Sequence, residues 1–259
     1  MNARILFEKC PLCDSDSLRA YRTADCSWHS LYQESLPAAM KWMQCAACAH
    51  VFTEGYFTKE ACDLIFNKTN ENQQLGFDIE RQRSVSARMV EKILPYIDHG
   101  VWLDVGFGNG SLLFTAHEYG FRPIGIDLRQ SNVDALNSLG IPSYCTDIFK
   151  LSLEQNCSVI SMADVLEHMP YPMDGLRAAH RLLADHGILL ISLPNMESML
   201  WRYLDDRKAN PYWGEIEHYH NFTRTRLYQL LGETGFEPVR YGVSERYRVC
   251  MEVIAGKKQ

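Results

Sequence analysis

Residues 101–110 constrain the fold of this chain more than any other stretch, because they join an apolar run, an acid and three closely spaced glycines. The apolar beginning suits a buried parallel strand. Gly106, Gly108 and Gly110 follow, and glycine both adopts positive φ and lets a ligand approach the bare backbone. Residues 111–119 have helical character, so the pattern predicts a strand, a tight turn and a helix. In an open α/β sheet ligands bind at the carboxyl ends of the strands, and this turn would form one wall of that crevice.

The glycine spacing differs from the dinucleotide fingerprint G-x-G-x-x-G, which would need a third glycine where Ser111 stands. Acids also end three successive predicted strands, at Asp104, Asp127 and Asp147. Three carboxylates at one edge would repel a diphosphate, whereas they suit a ligand with positive charge and free ribose hydroxyls. S-adenosylmethionine carries a sulfonium, an ammonium and a ribose diol, and is such a ligand.

The rest of the chain alternates strands and helices as an α/β domain does. A helix with apolar residues at helical spacing is predicted over residues 77–97, just before the first strand. Further strands are predicted at residues 122–127, 141–146, 158–163, 187–193, 236–241 and 248–254.

Several segments resemble motifs of the class I S-adenosylmethionine-dependent methyltransferases, in particular a bacterial small-molecule and sugar methyltransferase group. LDVGFGNG at residues 103–110 resembles motif I, while VLEH at residues 165–168 and GILLISLPN at residues 187–195 match later motifs in the same order. The resemblance covers about residues 75–256. It implies a Rossmann-like seven-stranded sheet whose last strand runs antiparallel.

The same resemblance implies a donor site at the strand ends. Asp127 matches the ribose-binding acid of the family, and Asp147 matches the acid often placed near the adenine amine. The cofactor-binding residues implied in this way are Asp104, Gly106, Gly108, Gly110, Asp127, Leu128, Asp147, Ile148 and Asp164.

Methyl transfer requires alignment of the acceptor atom, and a hydroxyl acceptor also requires a group that takes its proton. His168 follows the fourth predicted strand, imidazole titrates near neutral pH, and related enzymes carry a histidine at the end of this motif. The alternative is that Glu167 and His168 hold the loop through hydrogen bonds. His218 is a competing base, because it lies in a long insertion at residues 196–222 of the kind that often forms a lid. His218 and His220 alone are a poor signal for a metal site.

Four of the nine cysteines form two C-x2-C pairs, Cys10 with Cys13 and Cys45 with Cys48. This spacing predicts a structural zinc site with four thiolate ligands. Residues 1–50 contain five basic and five acidic residues, so they lack the positive charge of a nucleic-acid reader. The predicted role of the zinc is therefore structural. The other cysteines, expected to be apolar filler, are Cys26, Cys62, Cys145, Cys157 and Cys250.

Composition narrows the class of protein further. A formal net charge of −6 disfavours a general nucleic-acid or membrane-surface binder. No apolar run is long enough to span a bilayer, and the first residues lack the apolar core of a signal peptide, so a cytoplasmic protein is expected. The predicted organisation is a zinc-binding module at residues 1–60, a linker and helix at 61–98, and a methyltransferase domain at 99–259.

The expected activity is in-line methyl transfer to a small-molecule or glycan acceptor, with oxygen as the predicted acceptor atom. The alternatives are a sugar C-methyltransferase and an RNA- or protein-directed methyltransferase that uses the zinc module for recognition. A nicotinamide oxidoreductase is disfavoured by Ser111 and by the series of acids, and a non-catalytic scaffold by the complete glycine and acid set. The sequence does not indicate the acceptor or the oligomeric state.

Overall fold

The computed structural model describes residues 3–67 and 73–258 of the chain. It divides into two compact units: the first comprises the described part of Met1–Asn70 with Glu167–Pro172 and Pro194–Leu227, and the second comprises the remainder. In chain order, the early elements are β1 (Arg4–Leu6), β2 (Leu18–Asp25), β3 (Ala39–Cys45), β4 (Val51–Thr53), β5 (Gly55–Phe57) and α1 (Lys59–Asn67).

The elements that follow are α2 (Ile79–Ile93), β6 (Gly100–Val105), α3 (Ser111–Glu118), β7 (Phe121–Asp127), α4 (Gln130–Ser138), β8 (Ser143–Cys145), β9 (Cys157–Ala163), α5 (Pro172–Leu182), β10 (Leu183–Pro194), α6 (Met199–Asp206), β11 (His220–Asn221), α7 (Arg224–Glu233), β12 (Phe236–Val243) and β13 (Cys250–Lys257). Short 3₁₀ turns lie at Leu166–His168 and Pro211–Trp213.

The second unit is built on a seven-stranded mixed sheet with the order β12-β13-β10-β9-β6-β7-β8. Strands β10, β9, β6, β7 and β8 pair in parallel, and the last strand, β13, is antiparallel to β12. The predicted fold class is therefore confirmed. The register pairs Val105 with Ile126 and Ser192 with Ala163, so the carboxyl ends of the central strands lie at one edge.

The core of this unit lies where α2 and α3 cover β6 and its neighbours. Trp102 on β6 is fully buried, and it packs edge-to-face on Phe121 with ring centroids 5.0 Å apart. Met89, Val90 and Ile93 supply the buried stripe of α2. Fully burying side chains of this kind stabilises a fold by about 1.5–3 kcal/mol each. This core fixes β6, and with it the turn that follows.

The first unit contains the N-terminal strands together with later parts of the chain. Its antiparallel sheet has the order β11-β4-β3-β2, and a separate pair joins β1 to β5. The edge strand β11 comes from residues 220–221 and pairs His220 with Phe52. Trp42 on β3 is fully buried and donates from Nε1 to the carbonyl of Trp213 at 2.8 Å. The sheet is thus completed by residues of the predicted 196–222 insertion, whose role as a lid stays a prediction.

Most predicted elements appear, with shifted ends. The helix expected over residues 77–97 is α2, which covers only Ile79–Ile93, and the strand expected at 187–193 is the longer β10. Of the cysteines expected to be apolar filler, Cys26, Cys157 and Cys250 are buried, whereas Cys145 is exposed and does not fill a core. Among the described residues, no helix has the length and apolar character needed to cross a bilayer.

Candidate active site

The glycine-rich turn after β6 presents bare backbone at the carboxyl edge of the sheet. Gly106, Gly108 and Gly110 have φ values of 68°, 53° and 78°. L side chains adopt these left-handed conformations with strain, so glycine is favoured here. The N–H of Gly106 donates to the carbonyl of Ile126 at 2.7 Å, which ties the turn to β7. The turn therefore combines a fixed position with backbone that carries no side chains at three positions.

Asp127, at the end of β7, faces the same turn. Its Oδ2 accepts from the N–H of Gly108 at 3.1 Å, and its Oδ1 accepts from the N–H and Nε of Arg129 at 2.9 and 3.0 Å. Arg129 also donates from Nη1 to Oε1 of Gln73 at 2.7 Å. A ribose diol that binds Asp127 would therefore share the carboxylate with Arg129 or displace the guanidinium.

Asp104 ends a buried chain of hydrogen bonds inside the sheet. Trp102 donates from Nε1 to Ser161 Oγ at 2.9 Å, and Ser161 Oγ donates to Asp104 Oδ1 at 2.6 Å. Burial raises the pKa of Asp104 to about 7, and the charge of Asp127 acts in the same direction. The hydrogen bond from Ser161 and the charge of Arg246 oppose this rise. A cation bound nearby would favour the ionised carboxylate.

Asp164 lies beyond the end of β9 with a φ of 58°, a conformation that costs a non-glycine residue about 1–2 kcal/mol. Its N–H donates to the carbonyl of Ser192 on β10 at 2.8 Å. Arg246 forms an ion pair with its Oδ2 at 3.4 Å and donates to the carbonyl of Ala163 at 3.5 Å. These contacts fix an acid at the same edge of the sheet as Asp104.

The remaining predicted donor residues lie after β7 and β8. The side chain of Leu128 is 59% exposed, whereas Ile148 is buried. Asp147 is half-buried, and its Oδ2 lies 3.9 Å from Lys150 Nζ. Because Asp127 pairs with Cys145 in the sheet register, Asp147 follows at the same edge.

The first unit holds the predicted catalytic histidines in a compact group. The rings of His168 and His218 are nearly perpendicular, with centroids 4.7 Å apart. Nδ1 of His168 donates to the carbonyl of Glu217 at 3.0 Å, so the proton is on Nδ1 and Nε2 carries the lone pair. His218 is 9% exposed, and burial lowers the pKa of its ring well below the usual value, an effect that the charges of neighbouring histidines reinforce.

The four cysteines of the C-x2-C pairs also meet in the first unit. Sγ of Cys10 lies 3.7 Å from Sγ of Cys48, and Sγ of Cys13 lies 3.6 Å from Sγ of Cys45. Four sulfurs at about 2.3 Å from a tetrahedral zinc ion are about 3.8 Å apart, so the spacing fits that ion.

The two cysteine turns share one backbone geometry. In the first, the N–H of Asp14 donates to the carbonyl of Cys10 at 3.0 Å and Asp14 has a φ of 56°. In the second, the N–H of Ala49 donates to the carbonyl of Cys45 at 3.0 Å and Ala49 has a φ of 58°. Two matching turns aim four thiols at one point, which suits a shared metal ion.

Three residues of the donor-type site have no counterpart in the sequence predictions. Ser161 and Arg246 reach Asp104 and Asp164 from strands and loops distant in sequence, and no local pattern announces them. Arg129 stands two residues after Asp127, and its charge next to a strand-end acid was the available signal.

The parallel sheet, the glycine turn and the strand-end acids together define a Rossmann-like methyltransferase fold. The chain belongs to the methyltransferase domain family, whose model matches residues 77–241, and it is a methyltransferase enzyme. A comparison with curated proteins found no match.

Solved structures with the same fold include methyltransferases that act on different small molecules. The Burkholderia thailandensis 1,6-didemethyltoxoflavin-N1-methyltransferase, solved with its substrate and S-adenosylhomocysteine, is 17% identical with a TM-score of 0.58, over 83% of this chain and 99% of that chain. The magnesium protoporphyrin IX methyltransferase of Synechocystis PCC 6803, solved with S-adenosylhomocysteine, is 18% identical with a TM-score of 0.58, over 78% and 100%. At these identities, the likeness establishes the fold.

Proposed function

We propose that this enzyme transfers a methyl group from S-adenosylmethionine to a hydroxyl of a small-molecule or glycan acceptor. The observation that carries this proposal is the glycine turn at positive φ, tied to Asp127 and placed beside the buried Asp104. Such a set of bare backbone and carboxylates suits a cationic ligand with a ribose diol. The donor itself supplies an activated methyl group when bound.

In this proposal the chain binds and orients the donor with residues of the second unit. Asp127 would accept hydrogen bonds from the ribose hydroxyls, and the backbone around Gly106 would lie against the amino-acid part of the donor. Asp104 and Asp164 would contribute negative charge near its ammonium group. Leu128, Ile148 and Asp147 would surround the adenine, with the carboxylate of Asp147 near its exocyclic amine.

His168 is the proposed base for the acceptor hydroxyl. Its Nδ1 proton is engaged by the carbonyl of Glu217, so the lone pair of Nε2 is the one that can take a proton. The chain reaches His168 only four residues after Asp164. His218 is the competing base, and its buried ring stands against that of His168.

A substitution series tests the base. His168→Ala should lower turnover by about 10²–10⁴-fold, the usual contribution of a positioned base, and should leave donor affinity nearly unchanged. His218→Ala, the double variant and the exposed control His99→Ala complete the set, since the side chain of His99 is 87% exposed. If only the His218 variant loses turnover, the base assignment moves to His218. If neither loses it, the acceptor is acidic enough for alignment alone to carry the rate.

The acceptor class requires a direct screen. Labelled S-adenosylmethionine is incubated with lipid, quinol, nucleotide-sugar and RNA acceptors, and the products are identified by mass spectrometry. We expect a methyl group on oxygen of a small molecule or glycan. Methylated carbon would favour the sugar C-methyltransferase alternative, and methylated RNA would favour the alternative in which the acceptor is a macromolecule. Tight NAD binding without binding of the methyl donor would reject the proposal.

We also propose that Cys10, Cys13, Cys45 and Cys48 bind one structural zinc ion. Their sulfur separations and their paired backbone turns support this assignment. The ion would fix the beginning of β2 against the end of β3, where Leu18 pairs with Cys45. A small sheet that cannot bury a large core gains stability from such an ion.

A further inference from the structure

Two segments of the first unit that are distant in sequence are fastened to each other around His168 and His218. The N–H of Tyr219 donates to the carbonyl of Glu167 at 2.9 Å. The ring of His168 donates to the carbonyl of Glu217 at 3.0 Å. These bonds hold His168 and His218 side by side before any ligand arrives.

A further hydrogen bond between the same two segments leaves His220 unavailable to a ligand at His168 and His218. Nε2 of His220 donates to the carbonyl of Met169 at 2.9 Å, and its Nδ1 lies 3.0 Å from Nε2 of His50. Both ring nitrogens of His220 are therefore engaged. Of the three histidines in these two segments, His168 and His218 are the ones left to act on a ligand.

Glu167, His168 and His218 bring one carboxylate oxygen and two ring nitrogens within 4.8 Å of one another. Ligand atoms at 2.0–2.2 Å from a tetrahedral ion are about 3.3–3.6 Å apart. Closing the three side chains on an ion therefore requires their separations to shorten by at most about 1.5 Å.

The hydrogen bonding of the two rings also matches that of metal ligands. A histidine that binds a metal usually donates its other N–H to a carboxylate or backbone carbonyl, as His168 donates to Glu217. Nδ1 of His218 is buried and makes no hydrogen bond within the described part of the chain. An unsatisfied buried polar atom is costly, and an ion that orders this ring would offset that cost.

We propose that Glu167, His168 and His218 bind one divalent transition-metal ion, separate from the ion of the cysteine site. Two imidazoles and one carboxylate suit zinc or ferrous iron, whereas magnesium and calcium prefer oxygen ligands. Three protein ligands leave at least one coordination position open for an exogenous oxygen.

The use of this ion, unlike its binding, rests on the proposed function. A hydroxyl that occupies the open position loses its proton to water more readily, because a bound cation lowers the pKa of an oxygen ligand. The ion and a proton compete for the same lone pair of His168. In the metal-loaded protein the ion therefore takes over from His168 the task of favouring the deprotonated acceptor.

Cobalt titration of the full chain tests the site. Thiolate ligands give cobalt an intense charge-transfer absorption that nitrogen and oxygen ligands do not, so the two sites are distinguished in one spectrum. We expect a first equivalent with the thiolate signature and a second with only weak ligand-field bands. Glu167→Gln and His218→Ala should weaken the second equivalent at least about tenfold and leave the first unchanged.

His29→Ala is the matched control, because His29 is a half-buried histidine of the same unit paired with a carboxylate, Glu215, at 2.9 Å. It should bind both equivalents as the wild type does. The proposal is overturned if the wild-type protein binds cobalt only at the thiolate site. It is also overturned if the Glu167→Gln and His218→Ala proteins bind the second cobalt ion as tightly as the wild type.

A measurement on the wild type covers the case in which these variants do not fold. Long-range ¹H–¹⁵N spectra should show two imidazoles shifting when zinc is added beyond the first equivalent, and unchanged imidazoles overturn the site. Methyl transfer is assayed separately. If the protein binds the second cobalt ion but does not bind the methyl donor, the proposed function is rejected and the metal site stands. If it binds the methyl donor but not the second cobalt ion, the metal site is rejected and the proposed function stands.

Discussion

At the scale of single residues, the acids of the predicted methyl-donor site differ in the groups that contact their carboxylates. Asp127 is satisfied by a backbone N–H and by Arg129, whereas Asp104 accepts from a serine hydroxyl within the sheet. The same residue type therefore has different surroundings at neighbouring strand ends. In the proposed function, Asp127 would exchange its partner for the ribose, and Asp104 would become ionised when the cationic donor binds.

Asp127→Ala should weaken donor binding about tenfold to a hundredfold, because hydrogen bonds to a charged group contribute about 1.5–3 kcal/mol. Calorimetric titration with S-adenosylmethionine measures the change. Asp134→Ala is the control, since Asp134 is exposed on α4 and accepts a hydrogen bond from Gln130 of the same helix. Equal affinities for the Asp127 variant and the wild type would remove Asp127 from the donor site.

Donor affinity should rise with pH through about 7, the pKa to which burial raises Asp104. A cationic donor binds the ionised carboxylate of Asp104 better than the protonated form. Below about pH 7, donor binding therefore releases the proton of Asp104, and the affinity is lower because that proton must be lost. Calorimetry in two buffers of different ionisation enthalpy measures the released proton. Asp104→Asn should abolish that release, and a variant that still releases it would show that another group titrates.

At the scale of elements, the strand–turn–helix units could be predicted because their information is local. The apolar run of β6 and the glycines of its turn are adjacent in sequence. The two cysteines of each C-x2-C pair are likewise close in sequence, with two residues between them. Strand β11 could not be predicted, because two residues carry no pattern and form a strand only by pairing with β4. The same reason applies to Glu167, whose place beside His218 depends on bonds between distant segments.

Cys13→Ser should remove the chelator-resistant zinc and loosen the sheet of β2, β3 and β4, because one cysteine turn then loses its anchor. Elemental analysis after dialysis against a chelator measures the zinc, and limited proteolysis reports on the sheet. The matched control is Cys145→Ser, an exposed cysteine outside the cluster. Wild-type protein that is metal-free, folded and active would contradict the zinc assignment.

At the scale of the whole molecule, the first unit is assembled from three separate parts of the chain. The aromatic side chains in its core come from the first and the third of these parts. The ring centroid of Trp213 lies 5.5 Å from that of Trp42 and 5.2 Å from that of Trp201. The residues predicted as a zinc module therefore share one core with the insertion at 196–222.

A chain that begins at residue 73 should not stay folded in this region, because Trp201, Trp213 and Phe222, each less than 5% exposed, lose packing partners. We expect a red-shifted tryptophan emission, binding of a hydrophobic dye and aggregation. Co-expression of residues 3–67 as a second chain should restore solubility. A soluble truncated chain with native emission would show that the insertion folds without the N-terminal strands.

The late edge strand β11 has a consequence for synthesis in the cell. Strands β2, β3 and β4 leave the ribosome first, but the residues that pair with β4 emerge about 170 residues later, which at about 5–20 residues per second is roughly 8–34 s. During that interval β4 has an unpaired edge, and such edges invite association with other chains. The cysteine turns are complete by residue 49, so zinc can bind while translation continues. The proposed ion would then hold β2 and β3 in register until β11 has been synthesised and pairs with β4.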